Sequence, residues 1–120
     1  MTVRGAALIP LFLLVVSCSN GGPSLAGGSR PYVVTAIDYH FHDAHPSLPI
    51  RLGRAVQFSN QGRNRHNVTI EGTTYDRTFG PGKRITIEPI SSVLADAGRY
   101  PFFCKLHADR GMSGILVLVP

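Results

Sequence analysis

The stretch Tyr100-Pro101-Phe102-Phe103-Cys104-Lys105-Leu106-His107-Ala108-Asp109-Arg110-Gly111-Met112-Ser113-Gly114 decides the reading of this chain. Gly98 to Cys104 reads as a strand rich in aromatic residues, and Gly114 to Val119 as a second strand. The loop between them carries Cys104, His107 and Met112 in the spacing C-x₂-H-x₄-M. A thiolate, an imidazole and a thioether on one short loop form a soft donor set. Such a set suits copper, with a second imidazole completing a His₂Cys site and the thioether as a weak axial donor. His66, at the start of another strand and followed by Asn67, is the candidate for that second imidazole. Alternation along the first strand puts Tyr100, Phe102 and Cys104 on one face, where the aromatics would exclude water.

Outward from this loop the chain is built of strands and turns. Tyr32 to Ile37, Ile50 to Leu52, Ala55 to Asn60, Asn67 to Ile70 and Lys83 to Glu88 carry β-branched or alternating patterns. Gly53 and Gly80-Pro81-Gly82 mark turns, Gln61 to Arg65 a polar loop, and Ser91 to Ala97 a helical turn. His40 to Ser47, with its His, Asp and Pro residues, reads as a loop. Frequent turns between about seven short strands predict an all-β fold, an antiparallel Greek-key β-sandwich.

The N-terminal residues read as an address. Gly5 to Val16 is an uncharged apolar run behind Arg4, interrupted by Pro10. A spanning helix needs about 20 apolar residues, so this run reads as the hydrophobic part of a signal peptide. Val15-Val16-Ser17-Cys18 resembles a bacterial lipobox, which implies cleavage before Cys18 and lipidation of its sulfur; Val15 stands where Leu is preferred, so an ordinary secretion signal is the alternative. Residues 19–30 are dominated by Gly, Ser, Pro and Asn and cannot bury enough apolar surface to fold. The expected organisation is a lipoprotein signal over 1–17, a flexible tether over 18–30 and one folded domain over 31–120. The implied location is extracytoplasmic, in the periplasm or at the cell surface, with the protein tethered to the membrane.

Composition narrows the function classes. The chain has 120 residues, 43% hydrophobic and 16% charged, which is a globular balance too short for a multidomain enzyme. Its two cysteines, Cys18 and Cys104, exclude a disulfide-stapled scaffold and a four-cysteine zinc site. With the signal removed, eleven basic and seven acidic residues leave a net charge of +4, too modest to suggest nucleic acid. The basic residues suit steering toward an acidic partner.

His66-Asn67 together with the Y-x-F-x-C-x-x-H-x-x-x-G-M-x-G run resembles the cupredoxins, the small blue copper proteins, over roughly Val33 to Val119. The resemblance implies a cupredoxin-like sandwich holding one type 1 copper ion. His66, Cys104 and His107 would be its equatorial ligands and Met112 its axial one. It also implies one-electron transfer without enzymatic activity, by a monomer working with redox protein partners, and His107 as the exit for the electron. Asn67 would tie the His66 strand to the Cys104 loop. The alternative reading of the same fold is an extracytoplasmic copper chaperone or storage protein.

Several positions depart from the family pattern. Leu106 stands where Pro is common, Lys105 where a small hydroxyl residue is frequent, and Phe103 where plastocyanin carries Tyr. Unlike Pro, Leu106 keeps a backbone N–H, which is expected to donate to the Cys104 sulfur and raise the reduction potential. Lys105 and Arg110 flank His107 as candidate docking charges for an acidic redox partner. His40, His42 and His45 form a separate cluster, expected to be solvent-exposed loop histidines that hold no second ion tightly.

Overall fold

A computed structural model of the chain describes residues 30–43 and 49–120. The expected signal over 1–17, the expected tether apart from Arg30, Cys18 and His45 lie outside the described residues. Among those described, nine strands occur in chain order: β1 Tyr32–Ile37, β2 His40–Asp43, β3 Ile50–Arg51, β4 Val56–Asn60, β5 His66–Ile70, β6 Asp76–Phe79, β7 Arg84–Ile87, β8 Gly98–Phe103 and β9 Ser113–Val119. Short 3₁₀ turns cover Ile90–Ser92 and Ala108–Arg110.

The strands form a four-stranded sheet ordered β2-β1-β4-β7 and a five-stranded sheet ordered β3-β9-β8-β5-β6. Their inner faces supply one core. Val34, Ala36, Val56, Phe58 and Ile87 come from the first sheet, and Val68, Ile70, Phe102, Leu116 and Leu118 from the second. Alternation explains the selection: β1 buries every second residue from Tyr32, and β9 buries Leu116 and Leu118. Phe58 and Phe102 meet edge to face across the two sheets at 5.4 Å, and Phe41 closes the cluster at 4.9 Å from Phe102. Burying each large apolar side chain contributes about 1.5–3 kcal/mol, so these rings are a main part of the cohesion between the sheets.

The expected sandwich is present, but its sheets are mixed rather than purely antiparallel. β1 pairs with β4, and β3 with β9, in parallel. A parallel neighbour requires a crossover, and the chain makes one between β1 and β4 by running through β3 in the opposite sheet. His40–Asp43, expected as loop, is instead the edge strand β2, joined to β1 by the two-residue turn Asp38-Tyr39. Asp38 takes φ 53°, a left-handed conformation that Asp tolerates better than most residues. β6 was not expected either and forms the other sheet's edge.

Candidate metal centre

At one end of the sandwich the β8–β9 connection meets the start of β5. Cys104 follows β8 directly, His107 precedes the 3₁₀ turn, and Met112 precedes β9. Backbone bonds fix this loop: Cys104 N–H donates to the Met112 carbonyl at 2.9 Å, and His107 N–H to the Cys104 carbonyl at 3.1 Å. Below it, Phe102 pairs with Gly114 and Phe103 with Ser113, closing the neck of the loop. Cys104 and Met112 are buried, and His107 is half-buried.

His66 opens β5 opposite Phe79 and is fully buried. One donor atom from each of His66, Cys104 and His107 lies within 4.8 Å of the others, the one such grouping of His, Cys and acidic residues among the described residues. Among the described residues, neither ring nitrogen of His66 has a hydrogen-bond partner. A buried polar atom left unpaired costs about 1–3 kcal/mol, a cost that an ion engaging the ring would relieve. Burial, helped by the neighbouring His107, pushes the His66 pKa down, while Asp38 pulls weakly upward. The imidazole is thereby held neutral, the form that ligates metals.

The distances fit a shared ion. With bonds of about 2.3 Å to sulfur and about 2.05 Å to nitrogen at a tetrahedral angle, the two donor atoms stand roughly 3.6 Å apart. Cys104 Sγ and His107 Nδ1 are separated by 3.5 Å. Two imidazoles on one ion place their ring centroids roughly 4.5 Å apart for a right angle at the metal and 6.4 Å for a linear one. The His66 and His107 rings are 5.2 Å apart. A buried thiol with two imidazoles, and a buried thioether at the end of the same loop, is a donor set that suits copper. Three of the four expected residues are thus brought together by their donor atoms, and Met112 is held beside them by its carbonyl bond to Cys104.

The surroundings of the sulfur differ from expectation. Its backbone donor is Asn67, whose N–H reaches Sγ at 3.3 Å. Leu106 does not supply this bond: among the described residues its N–H donates to no acceptor, and its side chain is exposed. Asn67 is the tie between strand and loop, but through the backbone of Lys105 rather than through a hydroxyl side chain. Its Oδ1 accepts from Lys105 N–H at 3.3 Å and from Thr69 Oγ1 at 2.6 Å. Its Nδ2 donates to Asp76 Oδ1 at 2.7 Å and to Thr78 Oγ1 at 3.2 Å. Asp76 also holds Lys105 Nζ at 2.6 Å, so the lysine clips its own loop to the outer face of the sheet. These bonds hold the Asp76 carboxyl below its usual range, Lys105 first and Asn67 second.

Two residues near the site were not legible as such. Tyr39, in the β1–β2 turn, packs edge to face on His107 at 4.9 Å, and the Arg110 guanidinium lies 4.1 Å above the Tyr39 ring. The signal available was Asp38-Tyr39 between two extended runs, a two-residue hairpin connection. Asp76 lies in an edge strand whose composition, Asp-Arg-Thr-Phe, shows no alternation of apolar and polar residues.

The sandwich, its two mixed sheets and the end-loop cluster of Cys and His define a cupredoxin fold. Among solved structures it is similar to amicyanin from Paracoccus versutus, with TM-score 0.57, 19% identity, and 78% of this chain and 86% of that one covered. A purple cupredoxin from Nitrosopumilus maritimus aligns with TM-score 0.55 and 16% identity over 73% of this chain and 99% of its own. The copper-containing nitrite reductase of Thermus scotoductus SA-01 aligns with TM-score 0.57 and 21% identity, but over only 23% of its length. No family model matches the chain.

Proposed function

We propose that this protein is a type 1 copper protein that carries one electron between redox partners. The observation that carries the reading is His66: a fully buried imidazole, its nitrogens without hydrogen-bond partners among the described residues, beside the Cys104 thiol and His107. His66, Cys104 and His107 would hold the ion, with Met112 as the axial donor. Copper bound there would supply one-electron redox chemistry. Cys104 contributes the strong sulfur donor, and the Asn67 N–H draws charge from that sulfur. Phe102, Phe58 and Phe41 pack beneath the loop and keep water from its inner side. The hydrogen-bonded loop then keeps nearly one geometry for both oxidation states, which lowers the reorganisation that electron transfer requires. Half-exposed His107 is the route to the surface.

Burial of Cys104 and His66 favours electron transfer over a chaperone role, since handing the ion on requires ligands that an acceptor can reach. The proposed setting is extracytoplasmic, with the domain tethered through lipidated Cys18, and the lipobox-like sequence supports it. The proposed partner is a redox protein with an acidic docking surface. Arg110, Arg63 and Arg65 support that charge preference from loops at the site's end of the molecule, whereas the charge of Lys105 is offset by Asp76.

The visible spectrum of copper-loaded protein tests the reading. An intense thiolate-to-copper band is expected in wild type and is absent from Cys104→Ser. A colourless loaded wild type refutes the type 1 assignment. Loss of lipid labelling in Cys18→Ser is expected, and unchanged labelling refutes the tether.

A further inference from the structure

Two of the three histidines expected on a loop, His40 and His42, lie on a strand, and this changes what they can do. His40 and His42 lie two apart in β2, so both side chains project from the same face of the sheet. β2 is an edge strand, and both residues are exposed. The backbone beneath them is fixed by pairing: His40 stands opposite Ile37 and His42 opposite Thr35. Their rings are 6.0 Å apart with an interplanar angle of 67°. The corresponding pair in the buried centre, His66 and His107, shows 5.2 Å and the same 67°.

We propose that His40 and His42 form a second metal site, a surface chelate for a divalent cation of the copper–nickel–zinc type, with Cu(II) bound most tightly. Ring centroids 6.0 Å apart fall within the roughly 4.5–6.4 Å that two imidazoles on one ion allow. That separation corresponds to a wide N–metal–N angle, and small rotations of two exposed side chains would narrow it. Imidazole is a borderline donor, and the order of divalent affinities places Cu(II) at its top. With only nitrogen donors from the protein and water for the rest, the site takes a tetragonal ion and lacks the sulfur that colours the buried centre. The ligands are exposed, so the ion exchanges freely, unlike one held by Cys104 and His66. The turn residue Tyr39, which packs on His107, immediately precedes His40, so the chelate sits on the same hairpin that covers the buried centre's outer ligand.

The test is a Cu(II) titration of the copper-loaded, oxidised protein, followed by calorimetry and electron paramagnetic resonance. Wild type is expected to take up a second equivalent with a tetragonal, nitrogen-coordinated signal and no added intense visible band. The double variant His40→Ala/His42→Ala is expected to lose that equivalent while its original visible spectrum is unchanged, which shows the domain intact. Saturation of wild type at one equivalent overturns the proposal, as does a second equivalent that survives in the double variant. The site does not depend on Cys104. If the buried centre proves not to be type 1, the difference between wild type and double variant still decides this question.

Discussion

Gly114 sits directly across the β8–β9 ladder from Phe102, and the substitution Gly114→Ala tests how tightly the neck of the ligand loop is packed. A Cβ placed there would stand 2.5 Å from Phe102 Cζ and 2.8 Å from Cε1, against 3.4 Å or more in ordinary contact. The ring must therefore retreat by roughly 0.9 Å, the shortfall at its nearest atom. It has little room, because Phe41 and Phe58 pack against it at 4.9 and 5.4 Å and only 1% of the residue is exposed. Overpacking of this kind costs about 1–3 kcal/mol. For a domain of this size each kcal/mol lowers Tm by about 4–8 °C, so a fall of roughly 4–24 °C is expected. Urea and thermal unfolding of metal-free protein measure it. Adding Phe102→Leu should recover part of the loss, so that the double variant is less destabilised than the sum of the singles by more than about 0.5 kcal/mol. A Gly114→Ala protein within about 0.5 kcal/mol of wild type, or strict additivity in the double variant, refutes the argument that the ring is trapped.

Asn67→Ala removes the bonds that hold Lys105 and Thr69. It should destabilise the protein by about 1–3 kcal/mol and lower the reduction potential as the N–H of residue 67 loosens from Sγ, read by unfolding and voltammetry. Leu106→Pro removes an N–H that does not touch the sulfur, so its potential should change less than that of Asn67→Ala in the same voltammetry. In metal-free protein, the lowered pKa of His66 makes the unfolded chain bind the extra proton. Stability should be full above the ordinary value of 6.5 and decline as pH falls below it, and His66→Phe should lose this dependence in urea titrations at several pH values. Asp76, whose pKa is lowered by Lys105 and Asn67, contributes stability above its ordinary value of 3.8 that fades as pH falls below it. Asp76→Asn should flatten that part of the acid unfolding curve.

What the sequence revealed and what it hid follow from where selection for burial acts. β1, β4, β8 and β9 were legible from the alternation of their residues, β5 from Val68-Thr69-Ile70, and the edge strands β3 and β7 from Ile50 and from Ile85 and Ile87. The two unexpected strands, β2 and β6, are both edges. Polar and charged residues protect an edge from pairing with other chains; in β6, Asp-Arg-Thr-Phe, they leave no apolar period to read, and in β2 the flanking His40, His42 and Asp43 give Phe41 a loop-like context. The candidate metal centre was legible for a different reason: Cys104, His107 and Met112 share one short loop, so spacing alone presents them together. His66 required a partner strand, and the paired His-Asn beside a strand start supplied the hint. Tyr39 and Asp76 act through contacts between distant segments, 68 and 29 residues from their partners His107 and Lys105, and no local pattern encodes such contacts. The Leu106 expectation failed because a free N–H in the sequence does not say where the loop aims it.

The arrangement also explains why fold and metal should be coupled. His66 and Cys104 stand at the ends of neighbouring strands in one sheet, so the ladder that joins β5 to β8 sets the distance between them. Burial in that frame leaves the His66 nitrogens without partners among the described residues, and a bound ion would engage one of them. The Asn67 network lies on the opposite face of the same strand from His66, where Thr69, Asp76 and Thr78 surround it. One strand thus presents a ligand inward and its restraint outward, with the intervening backbone N–H on the sulfur. Held in this way, the donors would keep nearly the same positions for both oxidation states of a bound ion, which is the condition for one-electron transfer at low reorganisation cost.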